Sequence, residues 1–270
     1  MKLEEKAYGA IYEREDEHWW FLGRRKVLAA LLGKLDPPGD WRVLDVGCGT
    51  GGNFSWLDRY GLVEGCDYSE EAIRYCLIRG THPAQVASIY ELPYDDASFD
   101  LVTCLDVIEH LRCDLPAFRE LGRVLKSGSY LLVTLPAGPN LYSDFDCLAG
   151  HLRRYTRDDI RLLLAQSGFE PLRLTCYTTL VHPLMRYYMW RGSITSGRSK
   201  YTQGMEPVIP SSNRALKQAQ NLEAMILSRW DLPRGCSIAV LASKNSPGSA
   251  LHIPHDRLRV CSHEMSSRSG

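Results

Sequence analysis

Val43-Leu44-Asp45-Val46-Gly47-Cys48-Gly49-Thr50-Gly51-Gly52 is the stretch that decides how this chain is read. A short apolar run carrying one acid breaks into four glycines within six residues. The run reads as a buried parallel strand over 41–46, and the glycines as a tight turn where backbone must approach a ligand closely. The following Asn53-Phe54-Ser55-Trp56-Leu57 reads as the opening of a helix whose free N–H groups face the same ligand. Strand, glycine turn and helix together make the first unit of a doubly wound nucleotide-binding sheet.

The rest of the chain keeps that rhythm. Further strands are expected over 62–66, 85–87, 98–105, 130–135, 172–177 and 236–242, with helices between most of them. Ser69 caps the helix after the second strand, Glu70 and Glu71 sit in its first turn, and Gly80 ends it. Thr156 and Asp159 make a capping-box pattern for a helix running to Gln166, and Lys126-Ser127-Gly128 turns into the fifth strand. The alternation implies an α/β fold: a doubly wound, mostly parallel, seven-stranded Rossmann-like sheet with an inserted cap before the last strand.

The expected division is an N-terminal helical and aromatic segment over 1–39, a core over 40–177, an inserted segment over 178–235, a last core strand over 236–244 and a disordered tail over 245–270. The N-terminal aromatics, among them Tyr8, Tyr12, Trp19 and Trp20, either pack on the core or form a lid over the ligand end of the sheet. In the insertion, Tyr187, Tyr188 and Trp190 read as the wall of an acceptor pocket. An interfacial segment in peripheral contact with a membrane and a dimer contact are the other two readings.

Composition narrows the classes. The 270 residues hold 32 Lys+Arg and 32 Asp+Glu, so no global charge draws the chain to nucleic acid. The nine cysteines are an odd number without a Cys-x-x-Cys pair, which fits small buried hydrophobes in a reducing compartment rather than a disulfide frame or zinc site. No metal is therefore assigned. The charged N-terminus lacks an apolar signal core and no run of about 18 apolar residues exists, so no membrane span and a cytoplasmic location are expected.

Gly47-x-Gly49-x-x-Gly52 alone also satisfies the dinucleotide fingerprint. Two acids separate the cofactors. Asp45, just before the turn, would repel a pyrophosphate and attract a ligand with a cationic end. Asp67, at the end of the second strand, can accept hydrogen bonds from both ribose hydroxyls, each charge-assisted bond contributing about 1.5–3 kcal/mol. A nucleoside bearing an amino acid and a sulfonium satisfies both, which is S-adenosylmethionine. A nicotinamide-dependent dehydrogenase, the rival enzyme, has no use for Asp45; a non-catalytic cofactor-binding scaffold is the rival from another class.

In combination, residues 43–51, Glu64-Gly65-Cys66-Asp67, residues 92–100 and Arg123-Val124-Leu125-Lys126-Ser127-Gly128 resemble the class I S-adenosylmethionine-dependent methyltransferases, in the small-molecule branch that includes ubiquinone-pathway enzymes. The resemblance covers about 40–176 and returns at the last strand. It implies that Asp45, Gly47 and Gly49, with Cys48 in the same turn, cradle the methionine and ribose parts. It implies that Asp67, with Tyr68 beside it, binds the ribose diol, and that Leu105-Asp106-Val107 lines the methionine side. Where relatives often carry an acid for the adenine amino group, this chain has Ser88 followed by Ile89.

The implied reaction is an in-line displacement at the methyl carbon, and a hydroxyl acceptor would also have to lose its proton. His110, after the fourth strand, and His151, in Gly150-His151-Leu152-Arg153-Arg154-Tyr155, are the candidate bases. Arg153, Arg154 and Tyr155 stand at the expected substrate face, where the arginines would clamp a carboxylate or phosphate, or form surface ion pairs. Arg24 reads as a helix-capping surface arginine more readily than as a partner of the cofactor carboxylate. The acceptor is a small molecule or a glycan- or lipid-linked group, with oxygen, nitrogen and carbon all open. The assembly is a monomer or homodimer.

Overall fold

Because its side chains alternate between two faces, a strand covered on both sides must be apolar in both registers, and the run around Asp45 is. It forms β1 (Trp41–Val46), in which Val43 and Leu44 are fully buried on opposite faces. The computed structural model describes residues 5–33, 35, 37–183, 187 and 210–246. The other strands are β2 (Gly61–Asp67), β3 (Ala84–Val86), β4 (Phe99–Leu105), β5 (Leu125–Pro136), β6 (Phe169–Tyr177) and β7 (Ser237–Lys244). They form one sheet in the order β3-β2-β1-β4-β5-β7-β6. All neighbouring pairs are parallel except that β7 runs antiparallel to both β5 and β6. The order reverses between β1 and β4, so the crevice beyond their carboxyl ends is the natural ligand site.

The helices are α1 (Glu5–Arg14), α2 (Trp19–Leu32), α3 (Phe54–Leu57), α4 (Glu70–Arg79), α5 (Asp114–Val124), α6 (Asp144–Ala149), α7 (Arg157–Gln166) and α8 (Pro210–Leu227). One core layer joins Leu44, Val102 and Val133 to Phe118 of α5 and Ile160 of α7. The other joins Val43, Leu101 and Leu132 to Leu28 of α2, Trp56 of α3 and Leu227 of α8.

The caps form as the sequence implies. Ser69 Oγ accepts from Ala72 N and Gly80 ends α4 in the left-handed region, while Thr156 and Asp159 cap each other's N–H groups. Two expectations change, and one element is added. The helix after the glycine turn is a single turn, and the Phe54 N–H is spent on Gly51 O, so no row of free donors faces the ligand. Lys126-Ser127-Gly128 does not precede the fifth strand but bulges within it: Leu125 pairs with Phe99 and Tyr130 with Leu101, while Lys126 Nζ holds the Asp100 carboxylate between them. Residues 144–149, unassigned from sequence, form α6 behind a capping box of Ser143 and Asp146.

The described part of the insertion is built against α2. A Cβ on Gly23 would lie 2.6 Å from Gln220 Cγ, so the two helices cross at close quarters. Glu223, buried, accepts the N–H groups of Thr179 (2.9 Å) and Leu180 (3.2 Å). Tyr187 is exposed. Tyr188, Trp190 and the expected tail beyond residue 246 lie outside the described residues. Among the described residues, no helix is long and apolar enough to cross a membrane.

Candidate active site

At the mouth of β1 the chain must turn past the end of β4. Gly47 does so at φ +72°, and a Cβ there would come within 2.3 Å of Val107 Cγ2, so only glycine fits. Two residues on, the Gly49 N–H donates to Asp67 Oδ2 (2.9 Å), while Ser69 N–H donates to Oδ1 (2.9 Å). Asp67 is thus fixed at the end of β2 with lone pairs to spare. Burial raises its pKa, opposed by those backbone N–H groups. Asp45 is buried beneath the turn, accepting from Thr103 Oγ1 (2.5 Å) and Asn53 Nδ2 (3.3 Å). Burial outweighs both bonds and pushes its pKa up to about 6. At neutral pH this is an ionised carboxylate in an apolar wall, short of positive charge.

The N-terminal segment closes one side of the turn. Glu15, buried, accepts from Thr50 Oγ1 and from Arg79 Nη2 (2.6 Å), with Arg25 Nη2 at 3.9 Å. Its carboxylate leaves no room at Gly52, where a Cβ would meet Glu15 Oε2 at 1.9 Å. Burial, with Asp67 nearby, pushes the Tyr8 hydroxyl up to about 12. The N-terminal aromatics therefore border the ligand end of the sheet as well as packing on it, with the Tyr12 and Tyr75 rings 4.9 Å apart.

Beyond β4, Leu105 is buried and Asp106 takes φ +58°. That left-handed backbone is held by Asp106 N–H on Thr134 O (3.1 Å) and by Thr134 Oγ1 donating to Asp106 Oδ1 (2.9 Å). The other Asp106 oxygen pairs with Arg24. Arg24 is therefore no surface cap: it is buried in mid-helix over the Trp20 ring, 4.9 Å from its centroid, and its Nε has no hydrogen-bond partner. The sequence could not place it, because α2 has to fold back onto the sheet before Arg24 meets Asp106.

His110 and His151, forty-one positions apart, come together with ring centroids 5.0 Å apart. His110 Nδ1 bonds Gly150 O (3.1 Å) and His151 Nδ1 bonds Asp146 Oδ1 (2.8 Å). Since a carbonyl and an ionised carboxylate only accept, each Nδ1 carries a proton, which makes Nε2 the lone-pair nitrogen of each ring in its neutral form. Burial, then the neighbouring His151, lowers the His110 pKa. Facing them is Glu109, 0% exposed, with both carboxylate oxygens unpartnered and Oε1 3.8 Å from His151 Nε2. Burial, with Asp106 close by, raises its pKa well above the ordinary value.

Of the two readings of the arginines, substrate clamp or ion pairs, the structure shows ion pairs for both, with that of Arg154 buried. Arg154 and Tyr155 are buried: Arg154 bonds Asp146 Oδ1 (2.8 Å) and Ala137 O (3.2 Å), and the Tyr155 hydroxyl lies 3.1 Å from Asp114 Oδ2. Arg153 is tied to Asp114 (3.2 Å) and to the carbonyls of Leu111 and Arg112. These side chains hold the loop that carries His151, and their donors are directed inward. Ser88 Oγ accepts from Tyr90 N–H (3.2 Å), Ile89 is buried beside it, and Tyr68 is exposed at the rim. Cys48 is buried with its Sγ 3.8 Å from that of Cys76.

Glu109, Asp146, Thr103, Asn53 and Glu15 are site or support residues that sequence reading passed over. Asp146 had a signal in the Ser143-x-x-Asp146 spacing of a capping box, whereas Thr103 meets Asp45 across strands, Asn53 reaches back to it over the glycine turn, and Glu15 reaches Thr50 from the N-terminal segment.

The geometry suits the cofactor the sequence implies. Gly49 would direct a Cβ into open space, Asp67 accepts its N–H, Asp45 lies buried in the strand that leads into the turn, and the buried Arg24 beyond β4 has an orphaned Nε. Comparison with known proteins agrees. Residues 44–133 match the family described as a methyltransferase domain. An O-methyltransferase of Penicillium expansum is 27% identical over 183 residues, 61% of this chain and 64% of that protein. A probable S-adenosylmethionine-dependent methyltransferase of Mycobacterium tuberculosis is 31% identical over 165 residues, 59% of this chain and 58% of that protein. The chain thus spans less than two thirds of the length of these relatives. The crystal structure of an S-adenosylmethionine-dependent methyltransferase from Mesorhizobium loti shares the fold, with a TM-score of 0.55 at 18% identity over 80% of this chain and 96% of that one. Residues 44–133 thus match a methyltransferase domain, and the chain is similar to S-adenosylmethionine-dependent methyltransferases in sequence and fold.

Proposed function

We propose that this protein transfers a methyl group from S-adenosylmethionine to an oxygen of a small-molecule, glycan- or lipid-linked acceptor. The observation that carries the choice of oxygen is the pair of histidines whose Nε2 lone pairs are left free just beyond Asp106. A hydroxyl must lose a proton to a nearby base, which these nitrogens supply; a protonated amine or a carbon acid must lose one too, so transfer to matched acceptors separates the three. That the fungal relative is an O-methyltransferase supports the same reading.

When bound, the cofactor supplies a methyl group already activated by a sulfonium. The chain's own residues bind and orient. Asp67 accepts from the ribose hydroxyls, Asp45 offers charge to the cationic end, and the Asp106–Val107 backbone borders the methionine side. Alignment of the acceptor oxygen with the methyl carbon can supply about 7–11 kcal/mol in favourable cases. One of the two histidines, His151 held by Asp146 or His110 held by Gly150 O, takes the acceptor proton at Nε2.

Calorimetry with S-adenosylhomocysteine and with NAD, followed by transfer of isotopically labelled methyl to matched hydroxyl, amine and carbon-acid acceptors, tests this. Homocysteine-product binding and transfer to hydroxyls alone are expected. Binding of NAD alone, or transfer confined to amines, would refute the reading, and tight cofactor binding with no transfer would favour a scaffold.

A further inference from the structure

We propose that Glu109, His110 and His151 bind one divalent cation of the zinc type, and that this cation takes the acceptor oxygen as a further ligand. The second half rests on the oxygen-acceptor reading above; the cation site itself does not.

Two histidines and a carboxylate come within reach of a common point. One ligand atom from each of the three lies within 4.8 Å of the others. A zinc-type ion holds neighbouring ligand atoms about 3–3.4 Å apart, so small rotations of the three side chains complete the set. Proximity alone would not suffice, but three independent features point the same way. Glu109 is fully buried, yet neither carboxylate oxygen has a hydrogen-bond partner. Buried acids are normally satisfied, and an orphan of this kind calls for a missing partner. Both imidazoles are locked in the tautomer that leaves Nε2 free, His151 through a carboxylate and His110 through a carbonyl. Carboxylate–histidine and carbonyl–histidine supports of this kind orient metal ligands. Behind His151, the support continues: Asp146 is held by Arg154 Nε (2.8 Å) and by Ser143 N–H (2.9 Å).

The donor set selects the ion. Two imidazoles with one carboxylate suit zinc, cobalt, manganese or iron in the divalent state, rather than the all-oxygen sites of calcium and magnesium. Three protein ligands leave at least one position open, as catalytic zinc sites do. The neighbouring positive charges, Arg24 and Arg154, are paired with Asp106 and Asp146, and neither bonds the Glu109 carboxylate. An acceptor hydroxyl on the ion would be oriented and made more acidic, its proton leaving to water. The ion then does what the histidines alone would otherwise do as bases.

The test uses the full chain freed of metal by chelator, titrated with Co²⁺ and followed by visible absorption, with Zn²⁺ competition and elemental analysis after dialysis. One equivalent should bind with d–d bands of an imidazole–carboxylate site and without the ultraviolet thiolate-to-cobalt band, which separates this site from the cysteines. Glu109→Gln and His110→Gln should each weaken binding at least tenfold while leaving S-adenosylhomocysteine affinity and the circular dichroism spectrum unchanged. If one variant does not fold, the other decides. No stoichiometric binding, thiolate bands, or binding retained in the folded variants overturns the proposal. Methyl transfer by metal-free protein at full rate would sink the acceptor-ligand half while leaving the methyltransferase reading intact; absence of cofactor binding would sink that reading and leave the cation site standing.

Discussion

Replacing Asp45 with Asn should make the ligand-free protein more stable and the cofactor bind worse. Asp45 is 1% exposed, and its pKa rises from 3.8 to about 6 because burial outweighs its bonds to Thr103 and Asn53. A group so shifted holds its proton about 3 kcal/mol more tightly in the folded state. Because the folded value is the higher one, the resulting stabilisation is fully present below about 3.8 and is lost as pH rises through about 6. At neutral pH the native state carries the cost of a buried carboxylate that Thr103, Asn53 and the nearby Arg24 only partly offset. Asp45→Asn removes it, and the site can accept the amide: its oxygen keeps the Thr103 bond, while its NH₂ finds the Asn53 Oδ1, unpartnered in the native protein, once that side chain flips. The expected gain is up to about 3 kcal/mol at pH 7.5, or roughly 6–12 °C in unfolding midpoint, shrinking towards zero near pH 4. S-adenosylmethionine affinity should fall at least tenfold at pH 7.5. Wild-type affinity should also weaken below about pH 6, and the variant's should be flat. Scanning calorimetry and titration across pH 4–8 measure both. An unchanged or lowered midpoint at pH 7.5, or full affinity in a folded variant, would show that the carboxylate is not held in reserve for a cationic ligand.

Other perturbations have separate readouts. Asp67→Ala should raise the cofactor dissociation constant about tenfold or more in calorimetry, because it removes charge-assisted acceptors for ribose and the partner of Gly49 N–H. Gly52→Ala would drive a Cβ to within 1.9 Å of Glu15 Oε2 and expel that carboxylate from Thr50, Arg79 and Arg25, costing about 1–3 kcal/mol in denaturant unfolding. Arg154→Met leaves Asp146 buried without its ion pair and should cost about 3–5 kcal/mol, whereas a substrate clamp would have shown itself in the Michaelis constant with stability intact.

Much of the fold was legible because its signals are local. Ser69, Gly80, Thr156 and Asp159 act within one turn of their own helix, so their spacing alone is informative. The glycine turn was legible for a similar reason: three of its four glycines take positive φ. Where local signals misled, a partner from another element had intervened. Lys126-Ser127-Gly128 has the composition of a turn, yet Asp100 on β4 draws it into the sheet as a bulge. Arg153 and Arg154 looked like an exposed cationic pair, because sequence cannot show that Asp114 and Asp146 lie beneath them.

By itself, the sequence determined the glycine turn and the two acids, Asp45 and Asp67, from which a cationic nucleoside is read, since each belongs to β1, β2 or the turns that follow them. It could not determine which groups gather beyond the end of β4. Arg24 comes from a helix before the sheet, Glu109 and His110 from the end of β4, and His151 from a loop after β5. Only the parallel pairing of β4 with β5, and the packing of α2 across the sheet, bring these groups together. Tertiary structure alone exposes a fully buried glutamate with no partner, because satisfaction of a polar group is a property of its surroundings.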